Sequence, residues 1–247
     1  MNKFQEIPWP RILAEGIAIV VSILLAFSIE AWWTDRQEQA EQERILLALK
    51  KEFETNLATI EEQLSYRRTV LVSVLQILDA SAGKTTVDKE EFDRLLGDVV
   101  WTGWLDLSTG AMASLLQSGK LSLIENEELR QHLAAFPYWT ETVVKMENFE
   151  MDRLDRDLIP FFYEATYMPQ IYNTMKGQPG VGNNPNPSIL PTTETRDHRD
   201  LLHNSKFIGM MATERMDHND AIFAYDLLKE QSNTAIRMID AELEGHR

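Results

Sequence analysis

The sequence has no cysteine among its 247 residues, and its basic residues are far fewer than its acidic ones. The absence of cysteine excludes disulfide frameworks, thiolate nucleophiles, iron–sulfur clusters and thiolate zinc sites. Lysine and arginine number 24 against 39 aspartate and glutamate residues, which gives a formal net charge of −15. Nucleic-acid binding needs clustered cations that displace counterions from phosphates, so we expect no nucleic-acid partner for this acidic chain.

The sequence also lacks the period-two alternation that indicates β-strands, and residues 34–82 contain neither glycine nor proline. Apolar residues in this stretch recur every seven positions, as in the seam of a coiled coil or helical hairpin. One series is Leu46, Phe53 and Ile60, and a second, offset by four, is Leu57, Leu64, Leu71 and Leu78. Lys50 and Arg67 interrupt the pattern. We therefore predict an all-α chain.

Capping signals divide the rest of the chain into further helices. Asp88 with Glu91 predicts a capped helix that ends near residue 100, and Asn126 predicts the start of another. Pro137 is expected to open a long helix that Pro160 breaks. A final helix from about residue 204 to 242 is long enough to return antiparallel along the first.

The strongest single pattern is the apolar run at residues 12–33. Twenty-two helical residues rise about 33 Å, which matches a hydrocarbon core of roughly 30 Å. Trp9 lies before the run, and Trp32 with Trp33 closes it, as in an interfacial aromatic belt. We predict a tail at 1–11, a transmembrane helix at 12–33 and an extramembrane helical bundle at 34–247.

Two other interpretations of this run remain open, a cleaved signal peptide and a buried helix of a soluble protein. The tryptophan pair and the helical pattern that continues past it favour an uncleaved anchor. Lysine and arginine counts on either side slightly favour a cytoplasmic bundle. The early position of the span favours the signal-anchor layout, so we lean towards an extracytoplasmic bundle.

Small residues recur every four positions along the span and predict a face for close helix–helix packing. This face consists of Ala14, Ala18, Ser22 and Ala26, and Glu30 extends it to the end of the span. Glu15 and Glu30 are ionisable groups within the span, where such groups often mark ion or proton passage. Both lie within about one turn of an interface, so we favour simple solvation by headgroup water over conduction.

Residues 168–198 change in character, because proline, glycine and asparagine replace the apolar periodicity. We predict a long exposed loop here, either unremarkable or a partner-binding element.

Candidate chemistry is sparse in this sequence, and we predict neither an enzyme nor a cofactor or metal site. Glu214 and His218 lie one helical turn apart and could supply two metal ligands, but a solvated helix face is the favoured interpretation. His198 and His203, near Asp197 and Asp200, form at most a weak surface metal site. Eight aromatic residues are interpreted as bundle core rather than as a ligand pocket: Trp101, Trp104, Phe136, Tyr138, Trp139, Phe161, Phe162 and Tyr163.

Two stretches together resemble a family of uncharacterised bacterial single-span membrane proteins. They are EGIAIVVSILLAFSIEAWWTDRQEQAEQERILLALKKEFETNL and MASLLQSGKLSLIENEELRQHL, and the resemblance covers residues 12–136. Glu30 and the Trp32–Trp33 pair depart from the polar amide and single aromatic residue expected there. The resemblance implies a protein anchored in the bacterial plasma membrane, and it implies no activity.

The favoured function is a scaffold or accessory subunit with the lipid bilayer as one partner. It would self-associate into a homo-oligomer or dock on another membrane protein. The alternative is a ligand- or stress-sensing module with an aromatic-lined pocket.

Overall fold

The computed structural model describes residues 9–175 and 192–245, and every regular element in these two ranges is helical. The prediction of an all-helical chain is confirmed. The α-helices of these ranges are α1 (Trp9–Ser81), α2 (Lys89–Val99), α3 (Gly110–Ser118), α4 (Glu127–Arg153), α5 (Ile159–Ala165), α6 (Met168–Tyr172) and α7 (Ser205–Gly245). Short 3-10 turns lie at Lys120–Leu123 and Arg199–His203, and a π-helical turn at Leu154–Leu158 joins α4 to α5.

Helix α1 has two parts that face different surroundings. The described side chains up to residue 40 are all exposed, and burial against the rest of the chain begins at residues 41 and 42. The apolar N-terminal part makes α1 long and apolar enough to cross a membrane, and none of that apolar part is buried. The same helix therefore runs without a break from an uncovered apolar segment into a packed core.

The packed part of α1 follows a heptad pattern more closely than the sequence suggested. Most of its buried positions alternate four and three residues apart: Gln42, Leu46, Leu49, Phe53, Asn56, Ile60, Gln63, Arg67, Val70, Val74 and Ile77. Leu64 and Ser73 are buried beside this series. The predicted series from Leu46 to Ile60 is confirmed. The second predicted series is confirmed only at Leu64, which is buried. Leu57, Leu71 and Leu78 are half-buried, and polar Asn56 and Gln63 take inner positions instead.

Helix α7 has a buried seam of the same spacing and packs along α1. The seam consists of Phe207, Met211, Glu214, His218, Ala221, Tyr225, Leu228, Ser232, Ala235 and Ile239. Ion pairs flank the contact at Lys50–Asp240 (2.5 Å), Glu61–Lys229 (2.7 Å) and Arg68–Asp226 (3.1 Å). In these three pairs, the residue number on α7 decreases as the residue number on α1 increases.

The structure differs from the prediction at Pro137 and at Pro160. Asn126 caps α4 as expected, with Oδ1 accepting from Leu129 N at 3.0 Å. Pro137, however, lies inside α4 rather than at its start, next to Phe136, whose ring packs on Phe53 at 4.7 Å. At Pro160 the chain stays helical, because the π-helical turn leads directly into α5 and places the proline in its first turn, where no amide is needed.

The predicted loop at 168–198 is shorter than expected at both ends. Its first residues form α6, in which Met168 and Ile171 are buried. Near its other end His198 is buried and joins Asp93 of α2. The proline- and glycine-rich centre, residues 176–191, lies outside the described residues.

Candidate functional site: a buried polar layer

The core of the described residues contains two apolar clusters, and a layer of polar side chains lies between them. On each of the helices α1, α4 and α7, the residues of one cluster give way to those of the other where the polar residues lie. Between the clusters α1 contributes Arg67, α4 contributes Glu147 and Glu150, and α7 contributes Glu214 and His218. These five residues are named the polar layer below, and each is at most 8% exposed.

Arg67 is the centre of the layer and has no exposed surface. Its Nη1 donates to both oxygens of Glu150, at 3.0 and 2.8 Å, and its Nη2 donates to the carbonyl of Gly103 at 3.0 Å. The guanidinium also lies over the ring of Tyr225, 4.9 Å from the ring centroid. Burial is the largest influence and lowers the pKa of Arg67, but Glu150 and Tyr225 together outweigh it and raise the pKa above its usual value. Arg67 is therefore a buried cation with specific partners rather than an interruption of the seam.

Glu147 is the second carboxyl group beside Arg67, with 4.0 Å between its Oε1 and the Nη2 of Arg67. The same oxygen accepts hydrogen bonds from the hydroxyl of Tyr225 and from the amide of Leu105. Burial raises the pKa of Glu147, and these hydrogen bonds and the charge of Arg67 oppose that rise. Burial likewise raises the pKa of the Tyr225 phenol, which keeps it a hydrogen-bond donor.

The layer also contacts the irregular segment 101–109, which is not helical. Buried backbone groups need partners, and here side chains of α1 and α4 supply them. Glu147 accepts from the amide of Leu105 at 2.9 Å, and Tyr66 donates to the carbonyl of Trp101 at 3.0 Å. The hydroxyl of Thr102 adds a side-chain bond to Glu150 at 3.0 Å. The segment lies close to α1 at Gly103, because a Cβ there would lie 2.4 Å from Oε1 of Gln63.

Glu214 and His218 form the other side of the layer, and the interpretation of a solvated helix face is wrong. They are 4% and 1% exposed, because the α7 seam carries both inward. His218 lies between two carboxylates, with Nδ1 3.9 Å from Glu150 and Nε2 3.8 Å from Glu214. Nδ1 has no hydrogen-bond partner among the described residues.

Burial sets the protonation of this pair. It raises the pKa of Glu214 to about 7, with the negative charge of Glu150 adding to the effect and the charges of Arg153 and Arg67 opposing it. Burial lowers the pKa of His218 to about 4, although the charge of Glu150 acts in the opposite direction. A neutral imidazole thus lies beside a carboxyl group that gives up its proton near pH 7.

A surface cleft of about 410 Å³ reaches the layer at Glu214. Arg153, Arg156 and Lys206 contribute positive charge to its lining. The π-helical turn forms one wall, and turns of this kind are frequent at functional sites. The layer is therefore buried but lies next to a route from solvent.

The residues predicted to carry the membrane function lie far from this layer, at the other end of α1. Ala18, Ser22, Ala26 and Glu30 are exposed on the single chain, as are Trp32 and Trp33. The hydroxyl of Ser22 donates to the carbonyl of Ala18 at 2.8 Å, so its polar group is satisfied within the helix. The side chains of Trp9 and Ala14 lie outside the described part of the chain. The packing face and the aromatic belt stay predictions.

The eight aromatic residues do not form one cluster. Phe136 and Trp139 belong to one apolar cluster, and Phe161 and Phe162 belong to the other. Trp104, Tyr138 and Tyr163 are 42%, 69% and 61% exposed, respectively. An apolar cavity of about 290 Å³ does lie between α1, α3 and α4, but Phe53 and Phe136 are its aromatic walls.

His198 does not form a surface metal site either. Its Nδ1 lies 2.6 Å from Oδ1 of Asp93, and its Nε2 accepts from the amide of Tyr167 at 3.0 Å. Asp197 instead pairs with Arg199, which lowers the pKa of that carboxyl group to about 2. This histidine connects α2 to the start of α6 and has a structural role.

Sequence reasoning missed most of the polar layer, although one signal for it was available. Continuing the series Leu46, Phe53 and Ile60 by seven residues places Arg67 in the seam. The same spacing carries Glu214 and His218 into the α7 seam, between Met211 and Tyr225. For Glu147 and Glu150 no comparable signal exists, because acidic residues are common on every face of this chain.

Comparison with known proteins supplies no family for this chain: no family model, no curated protein and no solved structure matches it.

Proposed function

We propose that the protein is a membrane-anchored scaffold or accessory subunit. Residues 12–33 cross the membrane once, and residues 34–247 form an antiparallel helical bundle outside it. The observation that carries this proposal is the apolar N-terminal part of α1, which the described chain leaves uncovered. An exposed apolar surface of this length needs a lipid phase or an apolar partner.

The order of contacts between α1 and α7 supports the antiparallel arrangement. Gln42 bonds to Glu242 at 3.0 Å, and farther along α1 Arg68 pairs with Asp226. This order returns the C-terminal end of α7 towards the anchor. A partner in the same membrane would therefore meet α1 and the end of α7 together.

The proposal includes a bacterial plasma-membrane location, in keeping with the family resemblance, and an extracytoplasmic bundle. The lack of cysteine allows a direct test of the side, because Ser65→Cys places a single thiol on the exposed face of α1. In intact cells, a membrane-impermeant maleimide should label this variant as fully as it does after detergent permeabilisation. Labelling only after permeabilisation would place the bundle in the cytoplasm.

The function itself is tested by the mass of the full-length protein in native lipid particles, with co-purifying proteins identified. A single species at an integral multiple of 28.5 kDa supports a homo-oligomeric scaffold. A foreign protein in fixed stoichiometry supports an accessory subunit. A monomer without a partner contradicts both forms of the proposal.

Self-association through the small-residue face has its own test. Leucine at Ala18, Ser22 and Ala26 together fills the space that close helix contact requires. We expect the triple variant to shift the oligomer to smaller species, whereas leucine at Ile17, Val21 and Ile23 should leave it unchanged. An unchanged size in both variants would exclude this face as the oligomer contact.

A second candidate function, ligand sensing, is favoured by the apolar cavity between α1, α3 and α4. Its lining combines apolar side chains with polar ones such as Glu52, Asn56 and Gln117, and ligand sites are likewise mostly apolar with a few polar groups. A ligand that binds there should raise the melting temperature, and Ala113→Leu, which fills the cavity, should abolish that rise. A scaffold without a ligand predicts no such change with any compound.

A further inference from the structure

We infer that Glu150, Glu214 and His218 form a binding site for a divalent transition-metal ion, with Zn²⁺ as the best match to the donor set. The site lies in the polar layer, and the inference stands independently of the proposed membrane function. One carboxylate comes from α4, and the other carboxylate and the imidazole come from successive turns of α7.

The first argument is geometric. One donor atom from each of the three residues lies within 4.8 Å of the other two. Zinc ligands at about 2.0–2.2 Å from the metal stand roughly 3.4 Å apart in a tetrahedral site. The donor atoms must therefore approach one another by up to about 1.4 Å to form a tetrahedral site.

The second, independent argument is the state of His218. The side chain is only 1% exposed, and its Nδ1 has no hydrogen-bond partner among the described residues. This nitrogen points at Glu150 from 3.9 Å, too far for a hydrogen bond. Buried polar atoms are normally satisfied, so a nitrogen left in this position indicates a missing partner such as a metal.

Charge and orientation in the layer fit a dication. When Glu147, Glu150 and Glu214 are all ionised, they exceed the charge of Arg67 by two negative charges, which a divalent cation balances. Arg67 and Thr102 donate hydrogen bonds to Glu150 and fix its carboxylate. Such outer partners orient metal ligands in known sites.

An access route is also present. Glu214 is both a member of the ligand set and part of the lining of the cleft beside the π-helical turn. A metal ion could enter there, and the fourth coordination position of zinc would then be filled by water or by an anion.

The test uses the full-length protein in lipid particles, carrying a purification tag without histidine and freed of metal by a chelator. We expect titration with Zn²⁺ to saturate at one equivalent. Co²⁺ should give the intense visible absorption of a four- or five-coordinate site. The variants Glu214→Gln and His218→Gln should each weaken binding at least about tenfold.

His198→Gln is the matched control, because His198 is equally buried but both of its ring nitrogens have partners. It should bind Zn²⁺ like the wild type. The inference is overturned if the wild type shows no saturable binding, if both layer variants keep wild-type affinity, or if the control loses as much affinity as they do.

Circular dichroism establishes whether each variant is folded. If His218→Gln does not fold, the Zn²⁺ affinity of Glu214→Gln alone tests the inference. X-ray absorption of the wild-type zinc complex gives a measurement that needs no variant. One imidazole with oxygen ligands is expected, whereas two or more imidazoles would place the metal at other histidines and overturn the inference.

Discussion

Burial of Arg67 is unfavourable in free energy, yet the buried carboxylate of Glu150 needs this residue as its counterion. Removing a guanidinium from water is unfavourable, and the charge is tolerated only when its partners are well placed. Glu150 takes two hydrogen bonds from it, and Gly103 takes a third. Because Glu150 is itself buried, the loss of Arg67 would leave a carboxylate without its counterion.

We therefore predict that Arg67→Met lowers the free energy of unfolding by about 3–5 kcal/mol. Arg68→Met is the matched control, because the next residue forms an ion pair with Asp226 that is half-exposed and worth about 1 kcal/mol or less. Denaturant unfolding of both variants measures the difference. Equal effects would show that the layer is not organised by Arg67.

Glu214 and His218 predict opposite pH dependences of stability. The pKa of Glu214 rises from 4.5 to about 7 on folding, so between these values the unfolded chain has lost a proton that the folded chain keeps. Stability from this group is greatest below pH 4.5 and falls as the pH rises to about 7. The pKa of His218 falls from 6.5 to about 4, so its contribution falls as the pH drops from 6.5 to 4.

The two effects partly cancel in the wild type, and single variants separate them. With chelator present, we compare each variant with the wild type as the pH rises from about 5 to about 7. The free energy of unfolding of Glu214→Gln should increase relative to that of the wild type, and that of His218→Gln should decrease relative to it. Each change is on the order of 2–3 kcal/mol, at about 1.4 kcal/mol per pKa unit. Glu62→Gln, at an exposed position of α1, should follow the wild-type curve. Parallel curves for all four proteins would contradict the burial effect.

At the scale of elements, α1 acts as a support for a segment that has no secondary structure. Asn56 pairs with both backbone groups of Ser108, at 2.8 and 2.9 Å. Glu52 accepts from the first amides of α3, at Ala111 and Met112, where a negative charge complements the helix dipole. Polar residues in the α1 seam therefore position the 101–109 segment, and that segment in turn contacts the polar layer.

We predict that Asn56→Leu destabilises the protein by about 1–3 kcal/mol, because both hydrogen bonds to the backbone of Ser108 are lost and each is typically worth about 0.5–1.5 kcal/mol. Hydrogen exchange should also become faster at residues 101–109. Thr55→Leu, on the exposed face one residue earlier, should change stability by about 0.5 kcal/mol or less. A leucine at 56 that leaves exchange unchanged would show that the segment is held elsewhere.

At the scale of the whole molecule, α1 has exposed apolar residues both in its uncovered N-terminal part and in its packed part. Val20 and Val72 both belong to α1, and they are 55% and 54% exposed. If the first part of α1 lies in lipid, only Val20 is removed from water in the cell. Equal exposure on the isolated chain then corresponds to different environments.

We predict that Val20→Arg reduces the membrane-bound fraction of the protein, because arginine near the centre of a span costs about 2.5–3.5 kcal/mol on insertion. Val72→Arg is the matched control and should fractionate like the wild type, since a surface position tolerates arginine. Carbonate extraction followed by immunoblotting measures both. Equal retention of the two variants in the membrane would contradict the assignment of residues 12–33 as the span.

Some of this architecture follows from local patterns that need no tertiary contact. The all-helical class follows from the periodicity and from the absence of glycine and proline in residues 34–82. The caps at Asp88 and Asn126 were predictable, because a cap is a bond between neighbours in sequence. The apolar segment was predictable from its composition and length.

Only the tertiary structure decided which polar residues belong to the core. Arg67 was interpreted as an interruption and Glu214 with His218 as a solvated face, because a buried charge can be recognised only when its partners are known. Those partners are distant in sequence, as Arg67 and Glu150 are 83 residues apart. The sequence thus determined the helices and the apolar segment, whereas the packing of α1, α4 and α7 determined the polar layer, since burial of charge depends on three helices meeting at one level.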